Sequence, residues 1–198
     1  LHMCVSLFIM DGISDLTMRR HISMLYRDAD AVIPRPALSY RDYCVGLSKV
    51  NGIAVNDKYK RSLAFWQEHV KILPPPPELP MIPKAKGYTS ENVFHHVGGV
   101  LTPKQYQQFK KNCSARHTTP TCVLLTVYAL TLSRFSKLQK FMLNILHCLR
   151  HPVHEDVERI IGNFSSSFLS IMNLNQSAPI IDNVKQVTDE LASALEHA

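Results

Sequence analysis

Leu73-Pro74-Pro75-Pro76-Pro77-Glu78-Leu79-Pro80-Met81 decides how the rest of the chain is read. Four consecutive prolines fix φ and remove four backbone donors, so neither a helix interior nor a central strand passes through them. The stretch reads as a stiff, extended strap laid on a surface. It follows a helix-patterned segment, Asn56 to about Lys71, in which Tyr59, Leu63, Trp66 and Val70 recur at three-and-four spacing. That aromatic face is expected to pack in the core.

Working back from the strap, Met3 to Met10 is apolar and stops at Asp11-Gly12, the pattern of a buried strand. Ser14 is expected to cap a helix over Asp15–Tyr26, with Met18, Ile22 and Leu25 on one face. Ser39 caps a second, in which Tyr40, Tyr43 and Leu47 align, and Asn51-Gly52 ends it. Working forward, Lys84 to Asn92 is polar and linker-like. We expect a strand over Val93–Leu101, then a helix capped by Thr102 that runs to Asn112. Thr119-Pro120 opens a helix to Lys137 that is apolar on several sides and is expected to be buried. Phe141–Leu149 and Phe168–Leu174 read as strands, and Ile181–Glu196 as an amphipathic helix. Strands alternating with helices predict an α/β fold.

The 198 residues are 45% apolar and 19% charged, which fits a globular protein. No apolar run reaches membrane-span length and no signal peptide is evident, so a cytoplasmic protein is expected. The five cysteines lack paired spacing and read as free thiols. The charge of +6 favours acidic partners, but its basic residues are scattered. They form no stripe interleaved with aromatics, which argues against nucleic acid. A small acidic carrier protein with a phosphate-bearing arm suits such a surface better. Leu1 stands where a start methionine would, so the chain reads as a piece of something longer.

The strap is similar to the LPxxPxLPL motif of heterocyclization domains, the condensation-type domains of nonribosomal peptide synthetases that make thiazoline and oxazoline rings. Further strings follow in the family's order. Phe141-Met-Leu-Asn-Ile-Leu146, His151-Pro-Val-His154 and Ile161-Gly-Asn-Phe-Ser165 resemble FTLNLT, PLHP and GDFTS. Thr119-Pro120 resembles the Thr-Pro motif, with Phe135 in a tryptophan's place, and Ser39-Tyr-Arg-Asp-Tyr43 resembles another recurrent string. The resemblance implies a partial chloramphenicol-acetyltransferase-like two-lobe condensation-domain fold. Residues 1–88 would be the end of the first lobe with the strap, and 89–198 the start of the second. It also implies siderophore-type chemistry, in which amide formation and cyclodehydration of Cys, Ser or Thr act on phosphopantetheine thioesters. Partners would then be peptidyl or aryl carrier proteins and adjoining synthetase domains, with no cofactor bound directly and no membrane.

The match changes at the N-terminus. Condensation domains carry HHxxxDG and heterocyclization domains DxxxxD; here the segment is Ser6-Leu-Phe-Ile-Met-Asp11-Gly12. Asp11 fits the closing aspartate and Ser6 replaces the opening one, while His2 and Ser14 fit flanking positions. Asn163 replaces a second carboxylate and Ser165 a threonine. The resemblance therefore makes Asp11 the organising catalytic candidate with Ser6. His2, Ser14, Asn163 and Ser165 would lie along a substrate channel. A serine hydroxyl without a neighbouring base accepts no proton usefully. The family's catalytic Thr and Asp would lie beyond Ala198, so the chain is expected to be inactive alone. A salt bridge from Asp11 to Arg19 or Arg20 is its expected structural role.

Other readings are weaker. His147, Cys148, His151 and His154 could bind zinc on a helix, but Pro152 and the preceding strand pattern oppose one, so no metal site is expected. His95-His96 lacks the aspartate of HHxxxDG. A remnant that only binds a carrier protein or partner fragment is one alternative, and a CoA-dependent acyltransferase of the same superfamily is another.

Overall fold

The computed structural model describes residues 3–48, 57–81 and 97–198. Among the described residues six α-helices and two strands follow one another as α1 (Gly12–Arg27), α2 (Tyr40–Ser48), α3 (Asp57–His69), α4 (Pro103–Ser114), α5 (Pro120–Ser136), β1 (Lys140–Cys148), β2 (Ser165–Asn173) and α6 (Ile180–Glu196). The fold is α/β, as expected. The strands form a two-stranded sheet. Leu149 N–H donates to Phe164 O at one end and Leu174 N–H to Gln139 O at the other, so the ladder is antiparallel.

The chain folds as two compact units. The first takes Leu1–Val70, Asn144–Phe168 and His197–Ala198; the second takes Lys71–Leu143 and Leu169–Glu196. In the second, Ala129 and Leu132 of α5, Phe141, Met172, Leu174 and Val187 of α6 make the core. In the first, Tyr43, Val157, Ile160 and Phe164 do so, with Tyr40 and Leu47 packed against them. The expected lobe boundary at residue 88, the linker, Asn51-Gly52 and His95-His96 lie outside the described residues.

Caps explain most helix starts. Thr119 Oγ1 accepts from Cys122 N–H at 3.2 Å, and Ser39 Oγ from Asp42 N–H at 3.0 Å. Thr102 and Gln105 form a reciprocal capping box ahead of Pro103. The strap's Pro75 carbonyl accepts from Met142 N–H at 3.1 Å, which anchors the proline run along the outer edge of β1 within the second unit.

Five expectations are corrected. Met3–Met10 is not a strand: Ile9 N–H turns back onto Ser6 O, and Leu7, Phe8 and Ile9 face solvent, Phe8 at 93%. Ser14 does not cap α1; Asp11 does, three residues earlier, and Ser14 lies in the first turn. No residue of α3 is buried, because its aromatic face lines a cavity instead of a core. Helix α5 buries only one side, leaving Leu124, Val127 and Tyr128 exposed. In the span expected as a strand over Val93–Leu101, residues 97–101 have no strand pairing and the rest lie outside the described residues.

Candidate functional site

Asp11 is the centre of the first unit's polar network. It is 1% exposed at the mouth of α1. Its Oδ1 accepts from Ser14 N–H at 2.7 Å and its Oδ2 from Phe164 N–H at 3.1 Å, while its own N–H donates to Gly162 O at 3.1 Å. The Ser14 hydroxyl donates to the same Gly162 carbonyl at 2.8 Å and accepts from Gly162 N–H at 3.1 Å. One carboxylate and one hydroxyl thus bolt the start of α1 onto Gly162–Phe164.

Arg150 closes the network. Its side chain is 3% exposed. Nη2 donates to Ser14 Oγ at 2.9 Å and to Asp11 at 3.4 Å; Nη1 donates to Val157 O at 2.8 Å and Ile160 O at 2.9 Å. The guanidinium lies 3.8 Å over the Phe164 ring. A planar fork with several donors suits this spread of acceptors, which a lysine could not match. The expected partners are corrected here: Arg19 is 2.7 Å from Asp15 on an exposed turn of α1, and Asp11 pairs with Arg150.

Burial alone would raise the Asp11 pKa. The backbone and hydroxyl of Ser14, the Phe164 N–H and the Arg150 charge outweigh it and hold the carboxyl below its ordinary 3.8. Such a group stays ionised at neutral pH, sealed from water and saturated with donors. Those properties suit a brace and make a poor proton acceptor.

The Ser6 hydroxyl accepts from Phe8 N–H at 3.3 Å within an exposed turn. Asn163 Nδ2 donates to Leu7 O at 2.9 Å and so ties that turn to the network. Asn163 Oδ1 accepts from Ser165 N–H at 2.9 Å, and the Asn163 carbonyl accepts from the Tyr40 hydroxyl at 2.6 Å. Asp11, Ser14, Asn163 and Ser165 are therefore gathered together, with Ser6 linked through Leu7. His2 lies outside the described residues. A Cβ on Gly162 would collide with the Tyr40 ring, which explains glycine there.

Arg150, Gly162, Phe164 and Tyr40 were not picked out by sequence reasoning as site residues. Arg150 lies inside the His147–His154 stretch, where the histidine spacing is the more conspicuous local pattern. Those histidines diverge: the His147 ring meets Phe168 edge-on at 5.1 Å, and His154 Nδ1 accepts from Asp156 N–H at 3.0 Å. Among the described residues no three His, Cys, Asp or Glu side chains are grouped to hold a metal. No helix among them is long and apolar enough to cross a membrane.

A family model described as Condensation domain matches residues 8–198. The chain is 28% identical over 190 residues to bacitracin synthase 1 of Bacillus licheniformis, covering 96% of this chain and 4% of that protein. It is 26% identical over 198 residues to phenyloxazoline synthase MbtB of Mycobacterium sp. (strain MCS), covering all of this chain and 16% of that protein. The cyclization-docking bidomain of the EpoB nonribosomal peptide synthetase from Sorangium cellulosum superposes with a TM-score of 0.86 at 29% identity, over 98% of this chain and 38% of that one. The chain thus spans well under two thirds of the proteins it resembles.

Proposed function

Because the chain belongs to the condensation-domain family of nonribosomal peptide synthetases, we propose that it is the scaffold segment of a heterocyclization domain. In that reading residues 1–88 end the first lobe and 89–198 begin the second. The complete domain joins a carrier-bound acyl group to carrier-bound Cys, Ser or Thr and closes the side chain onto the new amide with loss of water, as in siderophore assembly. Substrates arrive as phosphopantetheine thioesters, so the partners are peptidyl or aryl carrier proteins and neighbouring synthetase domains.

The supporting observation is the network around Asp11, which fixes the Ser6–Met10 turn beside Asn163 at the place of the family's motif. Asp11 and Ser14 are positioning residues. In this reading Ser6 and Ser165 present hydroxyl groups to a substrate, Asn163 holds the Leu7 turn beside them, and none of the three is a base. Positioning is what this segment supplies, and proton transfer is not. Purified chain mixed with acyl-loaded and cysteine-loaded carrier proteins should yield no dehydrated ring by mass spectrometry. Ring formation lost in Asp11→Ala would refute this.

Ser6 and Asn163, standing where the family's motifs have carboxylates, together with the net charge of +6, favour a second, non-catalytic reading, in which the chain binds acidic carrier protein. Titration of a labelled carrier should then show binding at low salt that weakens at high salt; no binding at either salt removes it.

A further inference from the structure

We propose that the cavity between α5 and the turn that opens α6 is a binding site for a short aliphatic carboxylate, separate from the network around Asp11. The cavity lies within the second unit and holds about 310 Å³. Helix α5 lines it with Val127, Leu130, Thr131 and Arg134, which three-and-four spacing stacks along one stripe. Ile180 and Ala178 complete its apolar part, and Asn175 and Gln176 its polar part. That volume and mixture, an apolar wall with a few polar groups, is what small-ligand pockets have.

The turn is held in place before any ligand arrives. Asn183, 2% exposed, accepts from Asn175 N–H at 2.8 Å and donates to the Asn175 carbonyl at 2.9 Å. Asn175 Oδ1 in turn accepts from Ser177 N–H at 3.0 Å. Gln176 Nε2 donates to Ser133 Oγ at 2.8 Å, and that buried hydroxyl donates to the Leu138 carbonyl at 2.6 Å. On α5 the Thr131 hydroxyl donates to Val127 O at 2.9 Å. Side chains fixed in this way lose little entropy on binding. Arg134 differs from them: its guanidinium has no hydrogen-bond or ion-pair partner among the described residues.

Charge selects the ligand. Among the described residues Arg134 is the one charged side chain that lines the cavity. Asp182, the carboxylate of the first turn of α6, lines a different cavity. A guanidinium stays charged at any working pH, and its planar fork takes both oxygens of a carboxylate. A guest with a short alkyl body covers Val127, Leu130 and Ile180 while its carboxylate pairs with Arg134. An alcohol of the same body forgoes the ion pair, and an amine brings like charge to the guanidinium. Inorganic phosphate pairs with Arg134 but leaves the apolar wall uncovered.

The 198-residue protein, labelled with nitrogen-15, is titrated at pH 7 with isovalerate, isoamyl alcohol, isoamylamine and inorganic phosphate, and amide shifts are followed by nuclear magnetic resonance. Isovalerate should move the amides of Thr131, Arg134, Gln176 and Ile180 together and saturably, with a dissociation constant on the order of millimolar. It should bind about three- to fivefold more tightly than isoamyl alcohol, as expected for one exposed charge pair. Phosphate should bind more weakly than isovalerate, and isoamylamine most weakly. Arg134→Gln, an exposed substitution whose fold is checked by circular dichroism, should bring isovalerate down to the affinity of the alcohol and leave the alcohol itself unchanged. Shifts that do not saturate or that fall elsewhere, alcohol or phosphate matching isovalerate in the unaltered protein, or a preference that survives Arg134→Gln would each overturn the proposal.

Discussion

Replacing Arg150 with methionine tests the network most severely. Methionine keeps most of the side chain's volume but removes every donor. Asp11 loses its charge partner, Ser14 Oγ loses one bond, and the carbonyls of Val157 and Ile160 lose theirs. Removing one member of a buried ion pair costs about 3–5 kcal/mol because the other is left uncompensated. A domain's whole stability is about 5–15 kcal/mol, so the variant should be close to unfolding. Asp11→Asn leaves an amide N–H facing Phe164 N–H and an unpaired guanidinium, and should also destabilise. Because the two residues share one network, the double variant should cost less than the sum of the singles by about 1–3 kcal/mol. Urea unfolding at pH 7 measures all three from midpoints at constant m. An Arg150→Met cost below about 1 kcal/mol, or strict additivity of the pair, would refute the reasoning.

Other outcomes follow from the same geometry. The folded Asp11 pKa lies below its unfolded 3.8, so the stability it contributes is complete above pH 3.8 and is lost as pH falls through the folded value. Asp11→Asn should flatten that acid limb of the stability curve, and a limb left unchanged would contradict the assignment. Gly162→Ala drives a methyl into Tyr40 and should cost about 1–3 kcal/mol, part of it recovered by adding Tyr40→Leu; a neutral Gly162→Ala would show that the ring yields freely. Thr102→Ala removes the capping box of α4 and should lower amide-exchange protection in its first turn by about 0.5–2 kcal/mol, leaving α5 unaffected. His151 should titrate below 6.5 by nuclear magnetic resonance, and Lys58→Gln should raise it.

The parts legible in the sequence were those governed by neighbours along the chain. Thr102-Pro103, Thr119-Pro120 and Ser39 each state a helix start in three or four residues, and α4, α5 and α2 begin there. The apolar runs at β1 and β2 were also readable. Helix α1 is where the pattern puts it, but it starts three residues earlier than expected because Gly12 reads as a breaker, although Asp11 and Ser14 stand at the spacing of a cap and its recipient N–H. The Met3–Met10 run has strand composition, but a strand also requires a pairing edge, which no local pattern reveals. The Asp11–Arg150 pair spans 139 positions, so proximity in sequence pointed to Arg19, which Asp15 had already engaged one helical turn away. The α3 stripe shows that three-and-four spacing identifies a face, and not whether that face meets a core or a cavity.

The most direct test of the central claim, that Asp11 braces the scaffold and handles no proton, is its own titration. Carboxyl carbon-13 shifts of the folded protein should show Asp11 ionised throughout the neutral range, with a midpoint below 3.8. An Asp11 carboxyl that titrates near neutrality, as a working acid or base would, contradicts the account.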